Sequence, residues 1–496
     1  MQIPLDLDGR GPVPLQRQLF DRVRDAILSG RLAPGQRMPS SRELCAQLAV
    51  SRNTVALAYE RLLAEGYIES RRGVGTFVSP VLPEEALRSR REALATADRA
   101  DRRTAPRYAG PFSGRPPTLF GTATQSLTCD FRVGRPAPDS FPLKAWRRIA
   151  LRVLGRSDPA LIQYGDPAGL PRLRAAIARH VAAARGIRIE PAQVIIVAGV
   201  QEALNLVARV FLTKGSRVAV ESPTYQGAAY CFESFGAKLV PIPIDAAGLV
   251  VERLPRHAPR LAYVTPSHQF PLGYTLSLER RLQLLDRAVR AGLYIVEDDY
   301  DGDFRYQGSP LTALQGLDVA ERVLYTTTFS KSIGAGLRLG YLIVPAHLVE
   351  AFNTVKALLN NGHPWLDQMI VAELIDSGEF ENHLRRIRMV YMARRDCLLD
   401  ALERHFGPCR ISGHEGGMHL AWHLPDALPG AASLQRLAAG AGVGIYDLSS
   451  GHAVVFDDRS DLDRIVLLGY SSVGEPRIRG AIRDLAATIA RGRSHV

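Results

Sequence analysis

From Val194 onward the chain repeats one rhythm. Short runs rich in β-branched residues, VIIVAG (194–199), SRVAVE (216–221), LAYVTP (261–266), LYIVEDD (293–299) and RVLYTTT (322–328), are separated by helix-length segments. That spacing fits strands joined by crossover helices, because parallel neighbours cannot be linked by a tight hairpin. An α/β domain with a largely parallel sheet is therefore expected over residues 128–496. Ahead of it, residues 80–127 are rich in Pro, Arg and Ala, poor in large apolar side chains, and read as a linker with a short helix over 84–97. Residues 12–79 are a separate, helix-dense module, and no internal repeat is found.

In that module Leu15, Leu19, Val23 and Ile27 recur at helical spacing. Ser40-x-x-Glu43 is a capping box that opens a short helix ending near Leu48. Ser51 can cap a second helix reaching about Glu65 after a three- to four-residue turn, and YIESRRGVGTFVS then supplies two short strands around Gly73 and Gly75. Two short helices so spaced make a helix-turn-helix, and the strand pair makes a wing. A small helical protein-interaction domain would share that spacing. The side chains favour DNA: Arg42 opens the first short helix, Ser51, Arg52, Asn53 and Thr54 open the second, and Arg71, Arg72 and Gly75 lie on the wing. In this geometry such positions meet phosphates and base edges. The segments LxPGxRMPSSREL and VSRNTVxxAYxxLxxEGY resemble the signature of GntR-type winged helices across residues 12–79.

Charge is consistent with a polyanionic partner. The net charge is +12, and residues 1–79 hold 11 arginines, no lysine and 8 acidic residues. Only five lysines occur, at 144, 214, 238, 331 and 356, so a lysine inside a motif draws notice. Lys331 lies in LYTTTFSKSIGAGLRLGY, just after a strand ending in small hydroxylated residues. A lysine there can join an aldehyde as a Schiff base if its surroundings suppress its charge. Thr328, Ser330 and Arg338 suit an adjacent phosphate. A surface lysine on a Gly-rich loop is the plainer reading of that segment alone. Three upstream segments argue for chemistry: Gly199 and the amides after it form an anion site at a helix start, Tyr225 can stack on a flat heterocycle, and VEDDYDGD ends a buried strand in acids. Five acids within seven positions usually mark a solvated loop or a metal site, but one could hold a pyridine nitrogen protonated.

Taken together, residues 128–496 resemble the fold-type I pyridoxal-phosphate enzymes, and the whole chain resembles the MocR subfamily of bacterial transcription regulators, with TPSHQFPLGYTLSLERRLQLL and VEDDYDGDFRY especially similar. The resemblance implies pyridoxal 5'-phosphate (PLP) on Lys331, with Asp298 at the pyridine nitrogen, Tyr300 at the ring oxygen and Tyr225 stacking. Gly199, Val200, Gln201, Thr328, Ser330 and Arg338 would hold the phosphate, and Tyr164 would reach the neighbouring subunit's phosphate in a homodimer. DRIVLLGY suggests Arg464 for an effector carboxylate. Where aminotransferases read Asn-Pro-x-Gly this chain reads Phe270-Pro271-Leu272-Gly273, with His268 or Gln269 as substitutes; His268 is also placed near the effector.

The expected protein is a transcription regulator binding operator DNA and sensing a small amine, an amino acid or the cofactor itself, without efficient turnover. Two rivals are a working aminotransferase carrying a DNA-binding domain, and a winged-helix regulator whose C-terminal domain only dimerises. Five scattered cysteines without a C-x-x-C pair argue against a disulfide scaffold and a zinc cluster, and His414, His419, His423 and Glu415 lack metal-ligand spacing. No apolar run approaches the roughly 20 residues of a membrane span, and no secretory signal is evident at Met1, so a cytoplasmic protein is expected.

Overall fold

The computed structural model describes residues 7–8, 12–82, 127–155, 161–255, 259–307, 312–456 and 461–493, in two compact units divided near Gly110. The helix read over 84–97 and most of the 80–127 linker lie outside the described residues.

The smaller unit contains α1 (Leu15–Leu28), α2 (Ser41–Leu48), α3 (Arg52–Ala64) and an antiparallel pair, β1 (Ile68–Arg71) and β2 (Gly75–Val78). The starts of α2 and α3 are chemically specified. Ser40 accepts from Glu43 N–H while the Glu43 carboxylate accepts from Ser40 N–H, and Ser51 accepts from Thr54 N–H. Leu19, Phe20, Val23, Ile27, Leu44, Val55, Ala58 and Leu62 form its core. The helix-turn-helix and wing are as the sequence indicates.

In the larger unit the strands are β3 (Cys129–Asp130), β4 (Val194–Val197), β5 (Arg217–Ser222), β6 (Thr224–Tyr225), β7 (Lys238–Asp245), β8 (Gly248–Leu249), β9 (Leu261–Val264), β10 (Tyr294–Asp298), β11 (Val323–Thr328), β12 (Gly340–Ile343), β13 (Arg410–Ser412), β14 (His419–His423), β15 (Val443–Gly444), β16 (Tyr446–Asp447), β17 (Ala453–Val454) and β18 (Ile465–Gly469). Eight form the main sheet in the order β4-β12-β11-β10-β9-β5-β7-β8. The central pairs are parallel, as the rhythm requires, and β12 runs antiparallel between β11 and β4. β4 and β9 are wholly buried, consistent with helices covering both faces. In register, Val296 of β10 faces Tyr263 on one side and Leu324 on the other. A four-stranded sheet, β13-β14-β18-β16, completes the unit. Three helices matter below: α4 (Pro171–Arg185), α5 (Val200–Phe211) and α6 (Val349–Asn360).

Candidate functional site

On the smaller unit the candidate surface is the start of α3 together with α2 and the wing. Arg42, Arg52, Asn53, Arg71 and Arg72 are exposed. Among the described residues Arg42, Arg52 and Arg72 have no ion-pair or hydrogen-bond partner, so their charge faces solvent. Ser51 and Thr54 are used partly in the cap, their hydroxyls 2.8 Å apart. Arg71 is engaged, with Glu69 at 2.6 Å and its guanidinium 4.6 Å from the Phe77 ring centre. Gly75 has φ 131°, and a Cβ there would lie 3.3 Å from Nε of Arg37. Sequence reasoning passed over Arg37. Its signal is its place just before the capping box, where backbone pairing with Phe77 brings it against the wing.

In the larger unit β11 and β12 are joined by residues 329–339, too short a return for a parallel crossover. Lys331 falls in a π-helical turn there, Ser330–Gly334, a geometry that recurs at functional sites. Its Nζ donates to the carbonyl of Gly134 at 2.6 Å. Gly134 has φ 78°, which strains any L side chain, and a Cβ there would stand 2.8 Å from the amine and push it aside. Burial pulls the amine's pKa below the ordinary lysine value, with the Asp301 and Asp298 carboxylates opposing.

Above the lysine loop lies an anion cradle. α5 starts at Gly199, φ 120°, and no side chain caps it. A Cβ at Gly199 would be 3.4 Å from an Arg338 guanidinium nitrogen and 3.7 Å from Thr328 Oγ1, so the groups converge on the open helix end. Among the described residues the Arg338 guanidinium has no ion-pair or hydrogen-bond partner. Thr328 donates to Ser330 Oγ at 2.8 Å, and Gln201 donates to the Gly227 carbonyl at 3.1 Å. Behind the cradle Glu202 accepts from Ala198 N–H and pairs with buried Lys356 of α6 and with His363. Although burial works the other way, those partners hold its carboxyl down to about 2.

The acidic run at the end of β10 divides its labour. Glu297 accepts from Leu314 and Gln315 N–H, both at 2.8 Å. Asp298 accepts from the Tyr263 hydroxyl at 2.7 Å through one oxygen, while the other, Oδ1, is buried with no partner. Burial pushes its carboxyl up to about 7. Asp299 accepts from the Tyr325 hydroxyl at 2.7 Å and pairs with buried Arg185 of α4 at 2.6 Å. Asp301 pairs with His268 at 3.0 Å. Tyr225 packs edge-on against Phe270, ring centres 5.7 Å apart, and Phe270 packs in turn against Tyr300. The acids are thus buried and individually partnered. Sequence reasoning missed Gly134, Arg185, Tyr263 and Asp301; a lone tyrosine in the otherwise aliphatic LAYV strand was the available signal for one of them.

Two expectations are corrected. Arg464 does not join the others: its guanidinium donates to the carbonyls of Leu424, Pro425 and Leu428 at the outer end of β18. His419 pairs with Gly469 at the opposite end of that strand, and it is Leu467 that packs with Val133 and Phe270 against Tyr225 and Tyr300. His268 is not open to an effector either. It is 4 % exposed, with both ring nitrogens engaged. Tyr164 stays away from this chain's pocket at 92 % exposure. Of the other histidines, His419 is buried against His268, ring centres 4.9 Å apart, while His423 contacts Ser412.

Residues 15–78 match the family described as bacterial regulatory proteins, gntR family, and residues 130–445 match the aminotransferase class I and II family. The chain is 37% identical over 484 residues to a probable rhizopine catabolism regulatory protein, MocR, of Rhizobium meliloti, covering 97% of this chain and 95% of that one. It is 34% identical over 507 residues to the HTH-type transcriptional regulator TauR of Rhodobacter capsulatus, covering 99% and 100%. Among solved structures, a multiple substrate aminotransferase from Thermococcus profundus superposes with a TM-score of 0.67 at 30% identity, covering 75% of this chain and 94% of that one. An archaeal alanine:glyoxylate aminotransferase gives 0.67 at 28%, covering 73% and 91%.

Proposed function

The chain belongs to the MocR-type group, in which a gntR-family winged helix is fused to a class I and II aminotransferase domain, and from that premise we propose a PLP-dependent regulator that reads an amine or amino acid at Lys331. The observation that carries the reading is the conjunction of a half-buried lysine whose amine is held by a backbone carbonyl, an unpartnered buried carboxylate oxygen and an uncapped helix start facing a free guanidinium. Those groups fit an aldehyde-bearing pyridine with a phosphate arm. Lys331 would hold the aldehyde, Asp298 Oδ1 the ring nitrogen, Tyr225 the ring face and Tyr300 the ring oxygen. The amides of Val200 and Gln201, with Gly199, Thr328, Ser330 and Arg338, would hold the phosphate. When bound, the aldehyde supplies a carbon on which one amine can replace another, so that an arriving amine is registered covalently.

The residues of this chain set the conditions. Burial keeps the Lys331 amine from carrying its full charge, and the Gly134 carbonyl aims it. An ionised Asp298 would keep a ring nitrogen protonated. Arg42, Ser51, Arg52, Asn53, Thr54, Arg72 and Gly75, with Arg71 and Arg37 beside them, would meet operator DNA. A homodimer in which exposed Tyr164 reaches the other copy's phosphate completes the reading, and the 80–127 linker would transmit the pocket's state. Coupling of that kind is commonly about 1–3 kcal/mol, roughly 5–150-fold in affinity. Among the described residues no helix is long and apolar enough to cross a membrane, and from the DNA-reading role we infer a protein of the cytoplasm.

The test compares operator binding by wild type and Lys331→Ala with and without PLP and a panel of amines. The reading expects wild type alone to respond and Lys331→Ala to lose the visible absorbance of lysine-held cofactor. Equal, unresponsive binding by both proteins would overturn it.

A further inference from the structure

His268 is the one histidine of the pocket whose two ring nitrogens both face oxygens suited to accept. Nε2 is 3.3 Å from the carbonyl of Gly413, which cannot donate, and Nδ1 is 3.0 Å from Oδ2 of Asp301. A carbonyl and a carboxylate are together satisfied by a ring carrying both protons. Nδ1 is also 3.1 Å from the Tyr300 hydroxyl, which in turn donates to the His268 carbonyl at 3.1 Å. The phenol oxygen is thereby turned toward Nδ1–H, which leaves the phenol proton, resting on a backbone carbonyl here, as the one a ring oxygen would accept.

The enclosure is built for this ring. Gly273, Gly413 and Gly417 all have left-handed φ, at 73°, 80° and 77°. A Cβ at Gly273 would lie 2.8 Å from Nε2, one at Gly413 3.0 Å from it, and one at Gly417 2.6 Å from the Asp301 carboxylate. Three backbone turns close over the pair, and a side chain on any of them would break it.

We propose that His268 is held as an imidazolium by Asp301 and acts through the Tyr300 hydroxyl as a positioning residue, making that side of the pocket favour an anionic oxygen. The neighbouring charges agree. Burial opposes the charged ring and Arg305 adds repulsion, but Asp301 outweighs both and raises the His268 pKa. His419, from β14, is driven the other way: burial and the charge of His268 push it down to about 3. Its Nε2 donates to the Pro271 carbonyl at 2.9 Å, and Nδ1 is buried without a partner, as in a neutral ring. Asp298, Asp299 and Asp301, with Glu221 from β5, are the anions acting on Tyr300. Each would be relieved by a cation at position 268.

The protonation claim stands on the protein alone; the claim about the anionic oxygen rests on the PLP reading above. Two measurements separate them. In full-length protein labelled with ¹⁵N-histidine, with the resonance assigned by its loss in His268→Gln, both nitrogens of His268 are expected to be protonated at a pH where an ordinary imidazole has lost its second proton. In Asp301→Asn the ring should titrate in the ordinary range. A neutral His268 ring in wild type at that pH overturns the proposal, whether or not any variant folds. In PLP-loaded protein, His268→Gln should raise the pH midpoint of the visible band by about one unit, tenfold in proton affinity, because a nearby cation is lost. The shift should vanish in a Tyr300→Phe background. A midpoint unmoved by His268→Gln, or a shift that persists without the phenol, also overturns it. A protein that takes up no PLP sinks the functional reading and leaves the first measurement standing.

Discussion

In the winged helix the side chains assigned to function point outward and several have no partner, whereas in the C-terminal unit the acids at the end of β10 are buried and each is tied to a neighbour, with the phosphate-side Gln201 and Arg338 exposed. Arg42, Arg52 and Arg72 stand free in solvent; Asp299, Asp301 and Glu202 each answer a specific cation. An exposed cation costs the fold almost nothing and is available to any polyanion, so recognition there is additive and salt-sensitive. A buried charge costs the fold unless it is paired, so the pocket's chemistry and its stability are carried by the same residues. Substitutions in the two regions should therefore fail in different ways.

The largest expected effect is at Arg185. Arg185→Met leaves Asp299 charged and buried, and should cost the C-terminal unit about 3–5 kcal/mol. All three tryptophans, 146, 365 and 422, belong to that unit, so the fluorescence midpoint in denaturant reports it selectively. An unchanged midpoint would mean that the pair is not a structural element. Acid should act next. His419 is pushed down to about 3 by burial, so between roughly pH 6.5 and that value the unfolded chain binds a proton that the folded chain refuses. This contribution is harmless above about pH 6.5 and destabilises increasingly as pH falls, by up to about 1.4 kcal/mol per unit. The stability difference between wild type and His419→Gln should accordingly shift in the variant's favour on acidification, and a constant difference would refute the assignment.

Smaller effects belong to the head. Arg52→Ala should weaken operator binding by about 1–3 kcal/mol, read by titration at fixed salt, with the tryptophan-reported midpoint untouched. Ser51→Ala removes the α3 cap and should lower the head's stability by about 1 kcal/mol, measured by circular dichroism. Arg71→Ala, which loses an exposed pair with Glu69, should change stability by no more than about 0.5 kcal/mol. A loss several times larger would show that the contrast between the two regions has been drawn too sharply.

The same contrast explains what could be read from the sequence. The helix-turn-helix was legible because its determinants are local: Ser40 and Glu43 are three residues apart, as are Ser51 and Thr54. The lysine loop and the anion cradle were legible because each follows a strand directly. Arg464 misled because the two ends of a short strand look alike in sequence, and only the pairing of His419 with Gly469 reveals which end faces the pocket. Asp301 was hidden for a different reason. Its meaning depends on a histidine 33 positions upstream and on glycines more than a hundred positions downstream, and no local pattern encodes such a meeting.

The alternation of side chains along β10 has one last consequence. Were this strand to slide by a single place against β9, the pocket floor would still present an acid, Glu297 or Asp299 instead of Asp298, but that acid would have left the groups that satisfy it and the tyrosine at 263 would face the wrong oxygen. Three successive acids thus make the charge interchangeable and the address unique, and a misthreaded domain would keep its net charge while losing its ability to hold a ring.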